Sequence, residues 1–119
     1  MSISSTDMQK SLMKAAETGD TPSAIALISE GADVNESEDG GWTVLMEATS
    51  KGYTETALAL IDEGADINMQ LPNGITALKC AAANGFGKTV KALMAKTLGV
   101  FKDNISIVND GKIEFIAIK

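Results

Sequence analysis

The stretch that decides the fold is residues 41–68, GWTVLMEATSKGYTETALALIDEGADIN. It is the clearest copy of a unit that recurs along the chain at intervals of 33 residues. Three sets of positions keep the same residue in all three copies, namely Leu12, Leu45 and Leu78, then Ala15, Ala48 and Ala81, then Gly19, Gly52 and Gly85. Residues 31–35, GADVN, return 33 positions later as GADIN. Such a period indicates a stack of similar units.

Each position of the second copy has a physical role in a helical hairpin. Gly41 permits a turn, and Thr43 is an N-cap residue that accepts a hydrogen bond from a free N–H of the helix that follows. Gly52 ends this helix, because glycine adopts the left-handed conformation most easily. A second helix is predicted from about Thr54 to Glu63.

The apolar positions of the two helices lie on one face of each. The first helix carries Leu45, Ala48 and Thr49, and the second carries Ala57, Leu60 and Ile61. One such pair cannot bury its own apolar face, so neighbouring copies must stack on each other.

At this point the chain resembles the ankyrin-repeat family, over about residues 6–96. The resemblance implies a mainly α fold, an ankyrin-repeat solenoid of three helix-turn-helix units, here predicted to end in a C-terminal β-hairpin. We predict repeats at residues 1–38, 39–70 and 71–102. The family's usual Thr-Pro-Leu-His becomes TVLM at residues 43–46 and TALK at residues 76–79, so the histidine that commonly ties neighbouring loops together is absent.

The first copy is atypical, as terminal repeats are expected to be. Thr6 with Gln9 three residues later predicts a capping box, which starts the first helix early. Lys10 occupies the capping position that Thr43 and Thr76 hold in the other two copies, and no glycine precedes it, so the turn is missing. Thr21 and Pro22 predict a cap followed by proline at the first position of the second helix.

The third copy departs from the repeat near its end. Its second helix is predicted from about Lys88 through Met94, and Thr97-Leu98-Gly99 stands where Gly-Ala-Asp should recur. From Ile105 the β-branched runs ISIV and KIEFIAI flank Asn109-Asp110-Gly111, a pattern that predicts a hairpin. We expect residues 103–119 to form this β-hairpin and to pack as a cap on the last repeat.

Charge and composition bear on the partners. Residues 1–39 hold eight acidic residues and two lysines, which accounts for the whole net charge of −6. All ten basic residues are lysines, so no guanidinium fork can pair with phosphates or base edges. We therefore predict binding to neither nucleic acid nor anionic membranes. No apolar run approaches the length of a membrane span and no signal pattern opens the chain, so we predict a soluble, cytoplasmic protein.

Residue types that carry chemistry are scarce. The chain has no histidine, the commonest general base, and its single Cys80 falls on an inner helix without a basic partner. Residues 87–89, GKT, resemble the end of a phosphate-binding loop, but Ala82 stands where that motif needs glycine. We predict no enzymatic activity, no cofactor and no metal site.

The resemblance implies that a protein partner binds the turn tips and the exposed side of the inner helices. Carried over by register, the candidate residues are Asp7, Gln9, Glu17, Asp39, Trp42, Ser50, Lys51, Asn73, Ile75 and Asn84, with Thr18 and Ala83 beside them. Trp42 and Ile75 are large apolar groups on adjacent turns, which favours an anchor for a partner. The alternative is that Trp42 packs over the neighbouring turn as part of the fold.

Two classes of function follow. The first is a protein-binding module that restrains or inhibits one partner; a phage- or parasite-encoded inhibitor of a host defence enzyme is one form of it. The second is a structural role, in which the C-terminal hairpin pairs with a partner's sheet or with another copy of the chain to form a homodimer.

Overall fold

The computed structural model describes the backbone of residues 4–38, 40–100, 105–107 and 113–115, and the side-chain environment of residues 4–38 and 40–97. Six helices make up the body of the fold: α1 Ser5–Thr18, α2 Thr21–Ser29, α3 Val44–Ser50, α4 Thr54–Asp62, α5 Ala77–Ala83 and α6 Gly87–Val100. They confirm the predicted three helix pairs.

The helices stack in two rows. Helices α1, α3 and α5 contact one another in sequence and form the inner row, and α2, α4 and α6 form the outer row. Each inner helix also packs against the outer helix that follows it. Every repeat therefore buries its apolar faces against the next repeat as well as within its own pair, as a solenoid requires.

The helix starts confirm the predicted caps at Thr43 and Thr76. The hydroxyl of Thr43 accepts a hydrogen bond from the Met46 N–H at 3.1 Å, and the hydroxyl of Thr76 accepts one from the Lys79 N–H at 3.3 Å. Each bond satisfies a backbone donor that has no partner inside the helix. The same residue type at the same place in two repeats thus fixes where α3 and α5 begin.

The two helices of the first repeat begin elsewhere than predicted. Ser4, and not Thr6, caps α1 by accepting from the Asp7 N–H at 3.2 Å. Asp20 caps α2 by accepting from the Ser23 N–H at 3.2 Å and the Ser23 hydroxyl at 2.7 Å, so the cap precedes Thr21. These bonds from Ser23 lower the pKa of Asp20. A carboxylate is a stronger acceptor than a hydroxyl, which explains the shift of one residue.

The core is aliphatic and rich in alanine. Leu12, Leu45, Leu60 and Leu93 are each at most 2% exposed. Between them lie small residues that let the helices approach closely, and the fully buried ones are Ala16, Ala24, Ala48 and Ala81. Several of these positions repeat with the period of the sequence, as Ala48 and Ala81 or Leu60 and Leu93 do, so both interfaces use the same core positions.

Two pairs of threonines join the outer helices across the repeats. The hydroxyl oxygens of Thr21 and Thr56 lie 2.7 Å apart, as do those of Thr54 and Thr89. Thr56 and Thr89 are each 1% exposed, so their hydroxyl groups depend on these protein partners.

Replacement of both members of a pair should cost less than the sum of the two single replacements. We expect Thr56→Val to lower the free energy of unfolding by about 1 kcal/mol, because the Thr21 hydroxyl loses its partner in a half-buried place. The double variant Thr21→Val with Thr56→Val should lie closer to wild type than the sum of the two single losses. Urea unfolding of all four proteins measures this coupling. Strictly additive losses would show that the hydroxyl pair contributes nothing.

The predicted fold class is wrong in its last element. The sequence predicted a C-terminal β-hairpin over residues 103–119, packed as a cap, whereas the fold that the structure supports is helical. Beyond α6 only two antiparallel three-residue strands are described, β1 Ile105–Ile107 and β2 Ile113–Phe115, with Ile105 opposite Phe115. The predicted turn at residues 109–111 lies outside the described residues. A two-stranded ladder this short is marginal alone, and β-branched composition does not establish a docked element.

Helix α6 also runs further than predicted. It continues past Met94 to Val100, so the segment at which the repeat pattern fails is helical. Within it the Thr97 hydroxyl donates to the Leu93 carbonyl oxygen at 2.9 Å. Thr97 stands where Gly31 and Gly64 close α2 and α4, so the glycine that ends those helices is missing from its register position here.

Candidate protein-binding surface

Two turns of the same construction project from one edge of the stack. The Glu38 carbonyl oxygen accepts from the Gly41 N–H at 2.9 Å, and the Leu71 carbonyl oxygen accepts from the Gly74 N–H at 2.8 Å. The Trp42 carbonyl oxygen also accepts a hydrogen bond from the Glu38 N–H at 2.9 Å. The Ile75 carbonyl oxygen accepts the equivalent bond from the Leu71 N–H at 2.9 Å. Leu71 lies over Gly41, within 3.5 Å of where a Cβ would stand. The two turns therefore support each other.

Trp42 lies at the base of the first turn and is half-buried. Its indole Nε1 donates to Glu47 Oε1 at 2.9 Å, and its ring packs against the core. Ile75 holds the matching position one repeat on, and it is also half-buried against the core. Both side chains thus contribute to the fold while part of each stays accessible.

One side-chain hydrogen bond joins the ends of α3 and α5. Asn84 Nδ2 donates to the Ser50 carbonyl oxygen at 3.0 Å and to the Cys80 carbonyl oxygen at 3.1 Å, which links the ends of the two helices. The Ser50 hydroxyl donates to the Glu47 carbonyl oxygen at 2.9 Å. The bond from Asn84 to Ser50 holds the ends of the two inner helices together, and the other two bonds order the same side chains within their own repeats.

The remaining candidates differ in how far they are available to a partner. Asp7, Glu17 and Lys51 are exposed. Asn73 is exposed too, although its Oδ1 accepts from the Ile75 N–H at 3.2 Å within its own turn. Asp39 lies outside the described residues.

Gln9 has its amide engaged by the fold. Its Oε1 accepts from the Asp33 N–H at 2.7 Å and its Nε2 donates to the Asp33 carbonyl oxygen at 3.1 Å. Asn35 does the same for the next loop, accepting from the Asp66 N–H at 2.7 Å and donating to the Gly64 carbonyl oxygen at 3.0 Å. The first pair ties α1 to the loop at Asp33 and the second ties that loop to the next one, and the sequence pattern did not reveal them.

Two side chains take the place of the family's histidine. Met46 is 1% exposed and fills the position with an apolar group. Lys79 Nζ donates to the Gly74 carbonyl oxygen at 3.2 Å, so it holds the turn of its own repeat. The register of the repeat could have pointed to both residues, since they occupy the histidine position.

Cys80 is a buried residue, 7% exposed, on the inner helix α5. Burial, and after it the charge of Glu47, raises the pKa of its thiol. A raised pKa keeps the group protonated at neutral pH, and the protonated thiol is a poor nucleophile. The side chain therefore serves as a small apolar group in the core.

Within residues 4–38 and 40–97, the acidic and sulfur-containing side chains form no cluster that could hold a metal ion. In the described part of the chain no helix is both long enough and apolar enough to cross a membrane.

Stacked helix pairs with turns projecting from one edge define a helical repeat protein. A family model of ankyrin repeats in three copies matches residues 12–106, and the chain belongs to the ankyrin-repeat family. No curated protein matches the chain. Ankyrin repeats are protein–protein interaction modules and are generally not enzymes, so protein partners are the ligands that this fold indicates.

Proposed function

We propose that the protein binds one partner protein through its turns and inner helices, and thereby restrains or inhibits that partner. The proposed contact residues are those found by register, Asp7, Gln9, Glu17, Asp39, Trp42, Ser50, Lys51, Asn73, Ile75 and Asn84. The observation that carries the proposal is the hydrogen bond from Asn84 Nδ2 to the Ser50 carbonyl oxygen, which joins the ends of α3 and α5 on this face.

A surface held by its own hydrogen bonds is favourable for binding. Because Asn84, Ser50 and Asn73 already have fixed partners, few side chains need to be ordered when a partner docks. Less ordering means less entropy lost on association, which leaves more of the contact energy as affinity. The support for binding is thus the rigidity of the face as well as its position.

The size of the side chains favours close approach. Ser50 on α3 and Ala83 on α5 are short, so a partner can lie near the helix backbones there. Trp42 and Ile75 stand beside them with part of each apolar side chain accessible, and we propose them as anchors. A protein that binds through this surface covers the matching area of its partner and keeps other molecules from reaching that area. We therefore propose restraint or inhibition of the partner.

One pair of matched variants tests the surface. Ala83 on α5 and Ala95 on α6 are both exposed alanines of the third repeat, on the inner and the outer row respectively. We expect Ala83→Arg to weaken partner binding at least tenfold, about 1.4 kcal/mol, because the long charged side chain blocks close approach. Ala95→Arg should leave binding unchanged.

The measurement has two stages. The wild-type chain captures proteins from native extract, and the protein retained by wild type and Ala95→Arg but lost from Ala83→Arg is then purified. Titration calorimetry with that protein gives the dissociation constants, and thermal unfolding of each variant checks that the fold is intact. Equal affinity of the two arginine variants would place the binding surface elsewhere on the molecule.

A further inference from the structure

A cleft opens between the start of α1 and the loop that leads into α3. Its floor is formed by Met13, which is half-buried, and Val44, which is 1% exposed. Gln9 and Lys10 of α1 form one wall, and the loop residues Glu36 and Glu38 form the other. The cleft lies at the edge of the stack from which the turns project.

The repeat register explains why this place is open. The first repeat has no turn of its own, because the chain enters α1 directly from the cap at Ser4. At the next interface, the positions 33 residues after Gln9, Glu36 and Glu38 hold Trp42, Met69 and Leu71. These three apolar side chains are half-buried, and Trp42 and Leu71 pack against the core. Apolar side chains of the protein thus fill this place between the second and third repeats. The equivalent place between the first and second repeats is lined by polar groups.

The groups around the cleft differ in what they can offer a ligand. The Gln9 amide is already bonded to the N–H and the carbonyl oxygen of Asp33, so both ends of the amide are occupied. Glu36 and Glu38 are exposed, and among the described side chains the ion pair present is Lys96 with Asp62, which involves neither of them. Their carboxylates are therefore free to pair with an incoming charge.

These properties fit a long basic side chain. The methylene stem of lysine or arginine can lie on Met13 and Val44 while its charged head meets the carboxylates of Glu36 and Glu38. Lys10 on the opposite wall adds one positive charge against these two negative ones, so the rim of the cleft stays acidic. The net charge of −6, which arises within residues 1–39, also attracts a basic partner over a longer distance.

We infer that this cleft receives a lysine or arginine side chain from a basic segment of the partner protein. The inference names the chemistry of the partner and rests on the proposed function. An acidic or purely apolar segment would leave the two carboxylates unpaired or repelled, which disfavours it.

Short peptides test the chemistry of the cleft without the natural partner. The probes are acetylated and amidated pentapeptides, Ala-Ala-Xaa-Ala-Ala, in which Xaa is arginine, norleucine or glutamate. Methyl resonances of Met13 and Val44 in the full chain are followed by NMR during titration. We expect the arginine peptide to shift both resonances with a roughly millimolar dissociation constant, the norleucine peptide to bind about fivefold more weakly, and the glutamate peptide not to bind.

A pair of double variants separates the cleft from net charge. Glu36→Gln with Glu38→Gln should weaken the arginine peptide about tenfold, because both pairing groups lose their charge. Glu55→Gln with Glu63→Gln changes the net charge equally but on the exposed side of α4 and its end, and it should alter binding less than twofold. Equal binding of the arginine and norleucine peptides, or equal losses in the two double variants, would overturn the inference.

The outcome is independent of the test of the binding surface. Partner capture that depends on Ala83 without any arginine preference in the cleft would overturn this inference alone. An arginine preference in the cleft with partner capture insensitive to Ala83→Arg would support it and contradict the proposed surface.

Discussion

Gly52→Ala is expected to lower the free energy of unfolding by about 2–4 kcal/mol. Gly52 follows α3 with φ of 77°, a conformation that costs any other residue free energy. An added Cβ would also lie 2.9 Å from Cδ1 of Phe86, closer than carbon atoms can approach. The variant must therefore accept both a strained backbone and a displaced aromatic ring. Urea unfolding followed by circular dichroism measures the loss.

Gly85 provides the control one repeat further on. Its φ is 76°, nearly the same as at Gly52, but no described atom lies within 4 Å of the place that its Cβ would take. We expect Gly85→Ala to cost only the backbone term, about 1–2 kcal/mol. When Phe86 is alanine in both proteins that are compared, Gly52→Ala should no longer cost more than Gly85→Ala does. Equal losses of unfolding free energy at Gly52 and Gly85 would show that the Phe86 ring moves aside without a measurable cost.

This arrangement of ring on glycine is itself a product of the repeat. At Gly19 the added Cβ would meet Cδ1 of Tyr53 at 2.9 Å, and the contact with Phe86 recurs 33 residues later at Gly52. The sequence predicts Gly52 as a helix end from its conformational freedom alone. The second reason for glycine, the aromatic residue of the next repeat, depends on how the repeats stack and is therefore not visible within one copy.

Features set by local sequence were predictable. The caps at Thr43 and Thr76 and the spacing of the helices follow from residues a few positions apart, and both were confirmed. Gln9 shows where local inference stops. It was predicted to reach back to the start of its own helix, but its amide binds Asp33, which is 24 positions away. A side-chain amide selects whichever backbone groups the tertiary structure brings near, and the sequence does not specify them.

The proposed binding surface stays a prediction, and the structure adds which of its polar groups are already bonded within the fold. Register places Trp42, Ser50 and Asn84 on the side of the turns and inner helices. It does not reveal that Glu47 accepts the Trp42 indole N–H, or that Asn84 bonds to the Ser50 carbonyl oxygen. Which polar groups remain for a partner depends on these pairings. The cleft beside Glu38 likewise follows from a missing turn, whose effect appears only when the neighbouring repeats are in place.

The C-terminal segment shows the limit of composition as a guide. Residues 105–118 have the alternation and β-branched content of a hairpin, but these features report only a local preference for extended backbone. Whether such a segment becomes part of the fold depends on the surface against which it would pack. The same limit applies to α6, where the loss of the Gly-Ala-Asp pattern predicted an earlier end and the helix continues to Val100.

Leu45→Ala is expected to lower the free energy of unfolding by about 2–5 kcal/mol, the range for a leucine truncated in a closely packed core. Leu45 is 2% exposed on α3, the inner helix that contacts both α1 and α5. Because α3 is held between α1 and α5, the surrounding helices can collapse little into the space that a truncated side chain leaves. Urea unfolding gives the loss, and an unchanged slope of the transition confirms that the two-state treatment holds.

The same leucine in the other two repeats provides an internal scale. Leu12 is fully buried on α1, which contacts a single inner helix, and Leu78 is only half-buried on α5. We expect the loss to be largest for Leu45→Ala, smaller for Leu12→Ala and smallest for Leu78→Ala, because the cost follows the apolar area and the cavity created. A loss at Leu78 as large as that at Leu45 would mean that the end of the stack is packed as tightly as its centre. A near-zero loss at Leu45 would contradict the assigned register of the repeats.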